Sequence, residues 1–217
     1  MSVRIRQATL DDITGILDVE EEVWPIELRA TEEQFRSRIK TFPEGTIVSL
    51  IDGTIVGVVA TQIVYSKDLD HSALTWDEIT DGGLIKKTHK PDGDILYGVD
   101  LSVSPFGANS ASLLLQEVGR IAIRHKLKGG MLGARIPRYH KYSERMNAQD
   151  YVNFKRGERL LDPELVFYTR LGLEIIRVLP NYIKDPDSRD YGVLLGWKNP
   201  FFGKPFPQLS SWLFRIK

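Results

Sequence analysis

The stretch "VSPFGANSASLLLQEVGRIA", Val103 to Ala122, has the make-up of an anion site. It begins as the end of a strand, turns through small residues and becomes an amphipathic helix, so backbone N–H groups at the helix start can face a negative charge. Asn109, Ser110, Ala111 and Ser112 carry the turn. Asn109 tolerates left-handed backbone better than most residues, and the short side chains leave room for the anion. The same Asn-Ser-Ala-Ser run also reads as a plain helix cap. A second grouping is basic: Arg135, Arg138, His140 and Lys141 either contact phosphate or an acidic substrate, or form a solvated loop. A third is acidic: Glu20, Glu21 and Glu22, just before Trp24, line a pocket or form a solvated helix end.

Other chemistries find no support in the residue pattern. His71, His89, His125 and His140 lack metal spacing, so no metal is expected. There is no phosphate-cradling P-loop and no Gly-x-Ser-x-Gly nucleophile elbow. Cysteine is absent, which removes disulfides and thiolate nucleophiles and suits a reducing compartment. With 29 Lys+Arg against 29 Asp+Glu, no overall basic field attracts nucleic acid or a membrane surface. The start, "MSVRIRQATLDD", has no apolar leader, and no run approaches the roughly 18 apolar residues of a membrane span. A cytoplasmic protein is the expectation.

The elements that must position these residues follow from periodicity. Val3 to Gln7 reads as a strand, and Thr9, Asp11 and Asp12 open a helix with apolar residues at Ile13, Ile16, Leu17, Val19 and Val23. Thr31 and Gln34 form a capping-box pattern before "EEQFRSRIKTF", which stops at Pro43. Two β-branched runs joined at Asp52-Gly53 predict a tight hairpin within Thr46 to Ser66. Residues 67–94 read as a long polar loop or excursion. "ILYGVDLSV" is a fourth strand, followed by the helix of the anion turn and a fifth strand, "GMLGARI". A polar helical stretch lies around Ala148 to Arg156, a helix opens at Asp162-Pro163 and ends at Gly172, and "LEIIRVL" and "YGVLLGWK" are strands. The result is one mixed α/β domain over 1–217. The tail, residues 200–217, carries Phe201, Phe202, Phe206, Trp212, Leu213 and Phe214, which pack on the domain or on a second copy in a homodimer.

This order, with the small-residue turn after the fourth strand, resembles the GNAT superfamily of acyl-coenzyme A-dependent N-acyltransferases from "VRIRQATLDDITGILDVEEEVW" to "YGVLLGWKNP". The segment from "GARIPRYHKY" onward is similar to GNAT domains fused to carbon-nitrogen hydrolases, and more distantly to GNAT-like loading domains of polyketide synthases. The resemblance implies the GNAT fold, a mixed central sheet of about seven strands flanked by helices. It also implies acetyl-CoA or another acyl-CoA as co-substrate and a small-molecule or peptide amine as acceptor. The anion at the turn would be the pyrophosphate of coenzyme A. The family pattern there is Gln/Arg-x-x-Gly-x-Gly/Ala; this chain has Phe106 and Asn109 at the first two positions and matches only at Ala111.

In the family, backbone groups matching Leu101 and Val103, flanking Ser102, pair with the pantetheine arm as an added strand. "FYTRLGL" matches the family's last-helix tyrosine pattern, so Tyr168 would protonate the departing thiolate; alternatively its ring packs on the sheet. The usual glutamate position of the fourth strand falls near Tyr97. Asp100 is the one carboxylate of that strand; alternation places it opposite Tyr97, as a base or as a structural anion. Trp24, Tyr97 and Arg135 are candidate pocket residues. The loading domains have histidine, threonine and arginine where this chain has Tyr168, Ala134 and Ile183, which argues for amine acylation over malonyl-CoA decarboxylation or thiol acylation. A noncatalytic acyl-CoA-binding domain is the third possibility, because the phosphate pattern is incomplete.

Overall fold

The computed structural model describes residues 2–70 and 74–215, so His71 and the last two tail residues lie outside the described residues. Its strands are β1 (Val3–Gln7), β2 (Thr46–Ile51), β3 (Thr54–Val64), β4 (Ile95–Val103), β5 (Gly129–Arg135), β6 (Lys155–Arg156), β7 (Arg159–Leu160), β8 (Glu174–Leu179) and β9 (Gly192–Lys198). The α-helices are α1 (Ile13–Val23), α2 (Glu32–Thr41), α3 (Trp76–Thr80), α4 (Ala111–Arg124), α5 (Ala148–Asn153), α6 (Pro163–Arg170) and α7 (Pro207–Leu213).

Seven strands form one sheet in the order β1-β2-β3-β4-β5-β9-β8, with β6 and β7 a separate hairpin. All neighbours are antiparallel except β4 and β5. Asp52 (φ 49°) and Gly53 (φ 86°) both take left-handed backbone, so the hairpin turn is the primed type expected of Asp-Gly. Helices α1 and α2 cover one face through Ile13, Ile16, Phe35 and Ile39 on Val48 and Val58. Helix α4 covers the other through Leu114 and Ile121 on Ile47, Val59 and Leu96. The α2 start has the anticipated capping box, in which the Thr31 hydroxyl accepts from Gln34 N–H and the Gln34 side chain accepts from Thr31 N–H.

One irregularity shapes everything that follows. Ala60 pairs with Asp100 and Thr61 with Gly98, so Val99 is an extra residue in β4. Such a bulge bends its strand and shifts the alternation of faces by one. Asp100 therefore shares the face of Tyr97, contrary to the alternation read from sequence. The bulge also ends the parallel ladder: β4 and β5 pair only from Ile95–Gly129 to Gly98–Leu132, although both strands run on. Beyond that point they diverge.

Residues 67–94 are better packed than a polar loop. Leu69, Leu74, Ile79 and Ile85 are buried, and α3 forms on its own capping box. The Trp76 indole donates to the Val99 carbonyl at 3.0 Å, satisfying the group that the bulge takes out of register. Helix α7 lies against α4, where Phe214 fills the space left by Gly119: a Cβ there would sit 2.4 Å from the Phe214 ring. Phe214 and Trp197 rings lie 5.3 Å apart. The tail thus packs on the domain through Phe214, while Phe206, Leu209 and Trp212 stay exposed.

Candidate active site

The divergence of β4 and β5 opens into a cavity of about 670 Å³. Leu101 and Val103 form one lip and Gly133 and Ala134 the other; Ala111, at the start of α4, lies at one end. Trp24, Asp100, Arg135, Glu164, Tyr168 and Ile183 also face it. The sheet, the end of α1, α4 and α6 all contribute walls.

Asp100 is held rather than free. Its Oδ2 accepts from Arg38 Nη1 at 2.7 Å and its Oδ1 from the Ser102 hydroxyl at 3.0 Å. The Arg38 side chain is fully buried, and its Nε donates to the Gly83 carbonyl at 2.8 Å. Ser102, also fully buried, accepts from the Trp24 indole at 2.6 Å. The Arg135 guanidinium lies 5.0 Å from the Trp24 ring centroid and donates through Nε to Asp185 at 2.8 Å. Burial opposes charge on both members of that pair, but Arg135 and Ser188 outweigh it for Asp185 and hold its carboxyl below the ordinary range. A continuous polar chain, Asp185–Arg135–Trp24–Ser102–Asp100–Arg38, thus fixes one wall. Arg38 carried no sequence signal: it sits in an ordinary helix, 62 residues from its partner.

Of the acidic run at the end of α1, Glu21 and Glu22 are exposed, but Glu20 is buried and accepts from Ala30 N–H at 2.8 Å. Burial, then the nearby Asp100 charge, pushes its carboxyl up to about 8, against the pull of Ser102, Ala30 and Arg38. The folded state therefore holds a proton that the unfolded chain has lost between about 4.5 and 8. Its contribution to stability is complete below that window and is lost as pH rises through it. Relative to Glu20→Gln, the wild type should lose roughly 1.4 kcal/mol of unfolding free energy per pH unit across the window. Urea titrations of both proteins at several pH values check this; parallel curves exclude it.

Tyr168 is buried in the cavity wall, and no hydrogen bond to its hydroxyl is present among the described residues. Burial, followed by the charges of Glu164 and Asp100, raises its phenol well above the ordinary value, so it remains a proton donor at neutral pH. Glu164 stands four residues earlier on α6 and faces the same cavity. It escaped notice in the sequence, although its i,i+4 spacing to Tyr168 was there to find.

Tyr97 does not reach the cavity. Its fully buried hydroxyl pairs with that of Tyr182 at 2.7 Å, in a core with Leu74, Ile95 and Leu194; Tyr182 takes the cavity position instead. The predicted anion turn is helical from Pro105 to Ser110 and continues into α4. Asn109 is exposed with ordinary negative φ, so no left-handed residue shapes the turn. The Ser110 hydroxyl is buried against that of Ser49 at 2.9 Å, anchoring the helix start to β2. Ala111 alone of the turn lines the cavity, and Ser112 is half-buried beside it. In the basic cluster, Arg138 and Lys141 are exposed. Among the described residues no His/Cys/Asp/Glu group could hold a metal ion, and no helix is long and apolar enough to cross a membrane.

A mixed seven-stranded sheet whose parallel centre splays around a cavity is the architecture of the GNAT superfamily of acyl-CoA-dependent acyltransferases, and this chain belongs to that superfamily. It is 38% identical over 209 residues to an uncharacterised N-acetyltransferase of Bacillus subtilis (strain 168), YkwB, an alignment covering 94% of this chain and 92% of that protein. It is 33% identical over 198 residues to the probable hydrolase YhcX of the same organism, covering 90% of this chain but only 38% of that protein. Among solved structures, the GphF GNAT-like decarboxylase in complex with isobutyryl-CoA aligns with TM-score 0.77 and 27% identity, covering 90% of this chain and 99% of that one. The loading GNAT-like domain of CurA from Lyngbya majuscula aligns with TM-score 0.80 at 20% identity, covering 92% and 98%. No model of a known protein family matches the chain.

Proposed function

We propose that the chain transfers an acetyl or related acyl group from coenzyme A to an amine, by direct attack within a ternary complex. The observation that carries this is the end of the β4–β5 ladder at Gly98–Leu132, which leaves the cavity-side edge of Leu101–Val103 without a strand partner above a cavity that reaches the start of α4. An extended pantetheine arm suits such an edge, and a pyrophosphate suits the helix start at Ala111. Tyr168 would give the departing thiolate its proton. The Asp100–Arg38–Ser102 group would hold the wall in place, because both Asp100 oxygens already have donors.

Ala111→Glu places a carboxylate where the pyrophosphate would lie. It should weaken coenzyme A binding roughly 10-fold or more, by like-charge repulsion at close range, while Ala111→Ser should change little. Calorimetry with coenzyme A tests this; equal affinities in folded Ala111→Glu and wild type remove the turn from the site.

Decarboxylation is the second reading, favoured by the likeness to the GphF domain. A decarboxylase must hold a carboxylate out of water and stabilise an enolate, which calls for donors and positive charge. Here Ala134, Tyr168 and Ile183 face the cavity at the positions in question and offer a single hydroxyl. The acyl-transfer reading is therefore preferred.

A further inference from the structure

We infer that Glu164 receives the acceptor's ammonium group and takes its proton, an assignment that rests on the acyl-transfer reading above. Helix α6 presents a stripe of Glu164, Phe167 and Tyr168 to the cavity, continued by Leu171 just past its end, so Glu164 and Tyr168 lie one turn apart on the same wall. Glu164 is part-buried and lines the cavity. Three other carboxylates near it have partners, while Glu27 and Asp77 also line the cavity. Asp100 has Arg38, Asp185 has Arg135, and Asp162 accepts from Arg138 N–H, Glu164 N–H and the Tyr151 hydroxyl.

Glu164 makes no ion pair with any described residue. Arg135, the nearest cation on β5, is committed to Asp185 and to the Trp24 ring. Lys184 also borders the cavity, but its side chain is 94% exposed and its ammonium lies 3.7 Å from Asp190. The Arg135 backbone N–H donates to its carboxylate, but a buried carboxylate without an ion partner is costly unless a cation joins it. Burial first, then Asp162 and Asp185, pushes the Glu164 carboxyl up to about 8, against the pull of Arg135. That is where a general base working near neutral pH is most effective.

The proton and bond changes balance without another reactant. The ammonium gives one proton to Glu164, and the freed nitrogen lone pair attacks the thioester carbonyl carbon. The C–N bond forms, the C–S bond breaks, and Tyr168 protonates the thiolate. The nitrogen's remaining surplus proton restores Tyr168, and Glu164 releases its own to solvent. The products are an amide, coenzyme A and one proton.

The test compares wild type, Glu164→Gln and Glu164→Asp. Thiol release from acetyl-CoA is measured against a panel of primary amines, including benzylamine and lysine, from pH 6 to 10. Glu164→Gln should keep coenzyme A affinity within about two-fold yet lose roughly 10²-fold in kcat/KM for each amine that wild type accepts, together with the rise in rate near pH 8. Glu164→Asp should retain the pH dependence at reduced rate. A Glu164→Gln protein with wild-type rates and profile overturns the assignment while leaving the acyl-transfer reading intact.

A wild type that acylates no amine sinks that reading instead. Glu164 is then judged by binding alone: above its titration near 8, where the carboxyl is charged, replacing it with Gln should improve the affinity for malonyl-CoA relative to acetyl-CoA roughly 10-fold, by removing like charge. An unchanged ratio overturns its placement at the acyl end of the cavity.

Discussion

Tyr168→Phe should lower turnover roughly 10²-fold or more while leaving stability and acyl-CoA affinity nearly unchanged. The ring is buried and its packing is kept by phenylalanine, and among the described residues no hydrogen bond reaches the hydroxyl to be lost. What disappears is the phenol proton that Tyr168 presents to the cavity. Steady-state kinetics and a urea titration of the same preparation separate the two quantities. Undiminished turnover in the folded variant assigns the proton to water and returns Tyr168 to a packing role.

The second large effect concerns the wall. Arg38→Met removes the guanidinium from a fully buried site and leaves Asp100, nine-tenths buried, without its counter-ion. The unfolding free energy should drop by about 3–5 kcal/mol, the usual cost of stranding one member of a buried pair. Asp100→Leu alone strands Arg38 and should cost a similar amount. The double variant should recover most of the loss, since two apolar groups desolvate without penalty. Additive losses in the double variant would show that Arg38 and Asp100 are not coupled.

Local patterns in the chain specify most of the architecture. The Asp52-Gly53 turn, the Thr31–Gln34 box and the Asp162-Pro163 helix start each depend on neighbours a few residues apart, and each is found in the structure. The functional wall depends on partners far apart. No feature of "ILYGVDLSV" announces a bulge at Val99; it becomes apparent only when β4 is set against β3, and it moves Asp100 to the other face. Tyr97 finds Tyr182 across 85 residues, which turns a pocket candidate into a core residue. Glu20 and Glu22 look alike in sequence, yet helix α1 turns one under Ala30 and the other to solvent. The anion turn lies between these cases: its small residues are where sequence placed them, but the backbone there is helical and Asn109 keeps negative φ.

The central claim, acyl transfer to an amine, is tested most directly by mass spectrometry of two parallel incubations. In one, excess protein meets acetyl-CoA and a library of primary amines. In the other it meets malonyl-CoA without an acceptor. The account predicts free coenzyme A matched by an acylated amine in the first, and malonyl-CoA recovered without carbon dioxide or acetyl-CoA in the second. Rapid, stoichiometric conversion of malonyl-CoA to acetyl-CoA, with no amine acylated, would contradict it and place the chain with the decarboxylases.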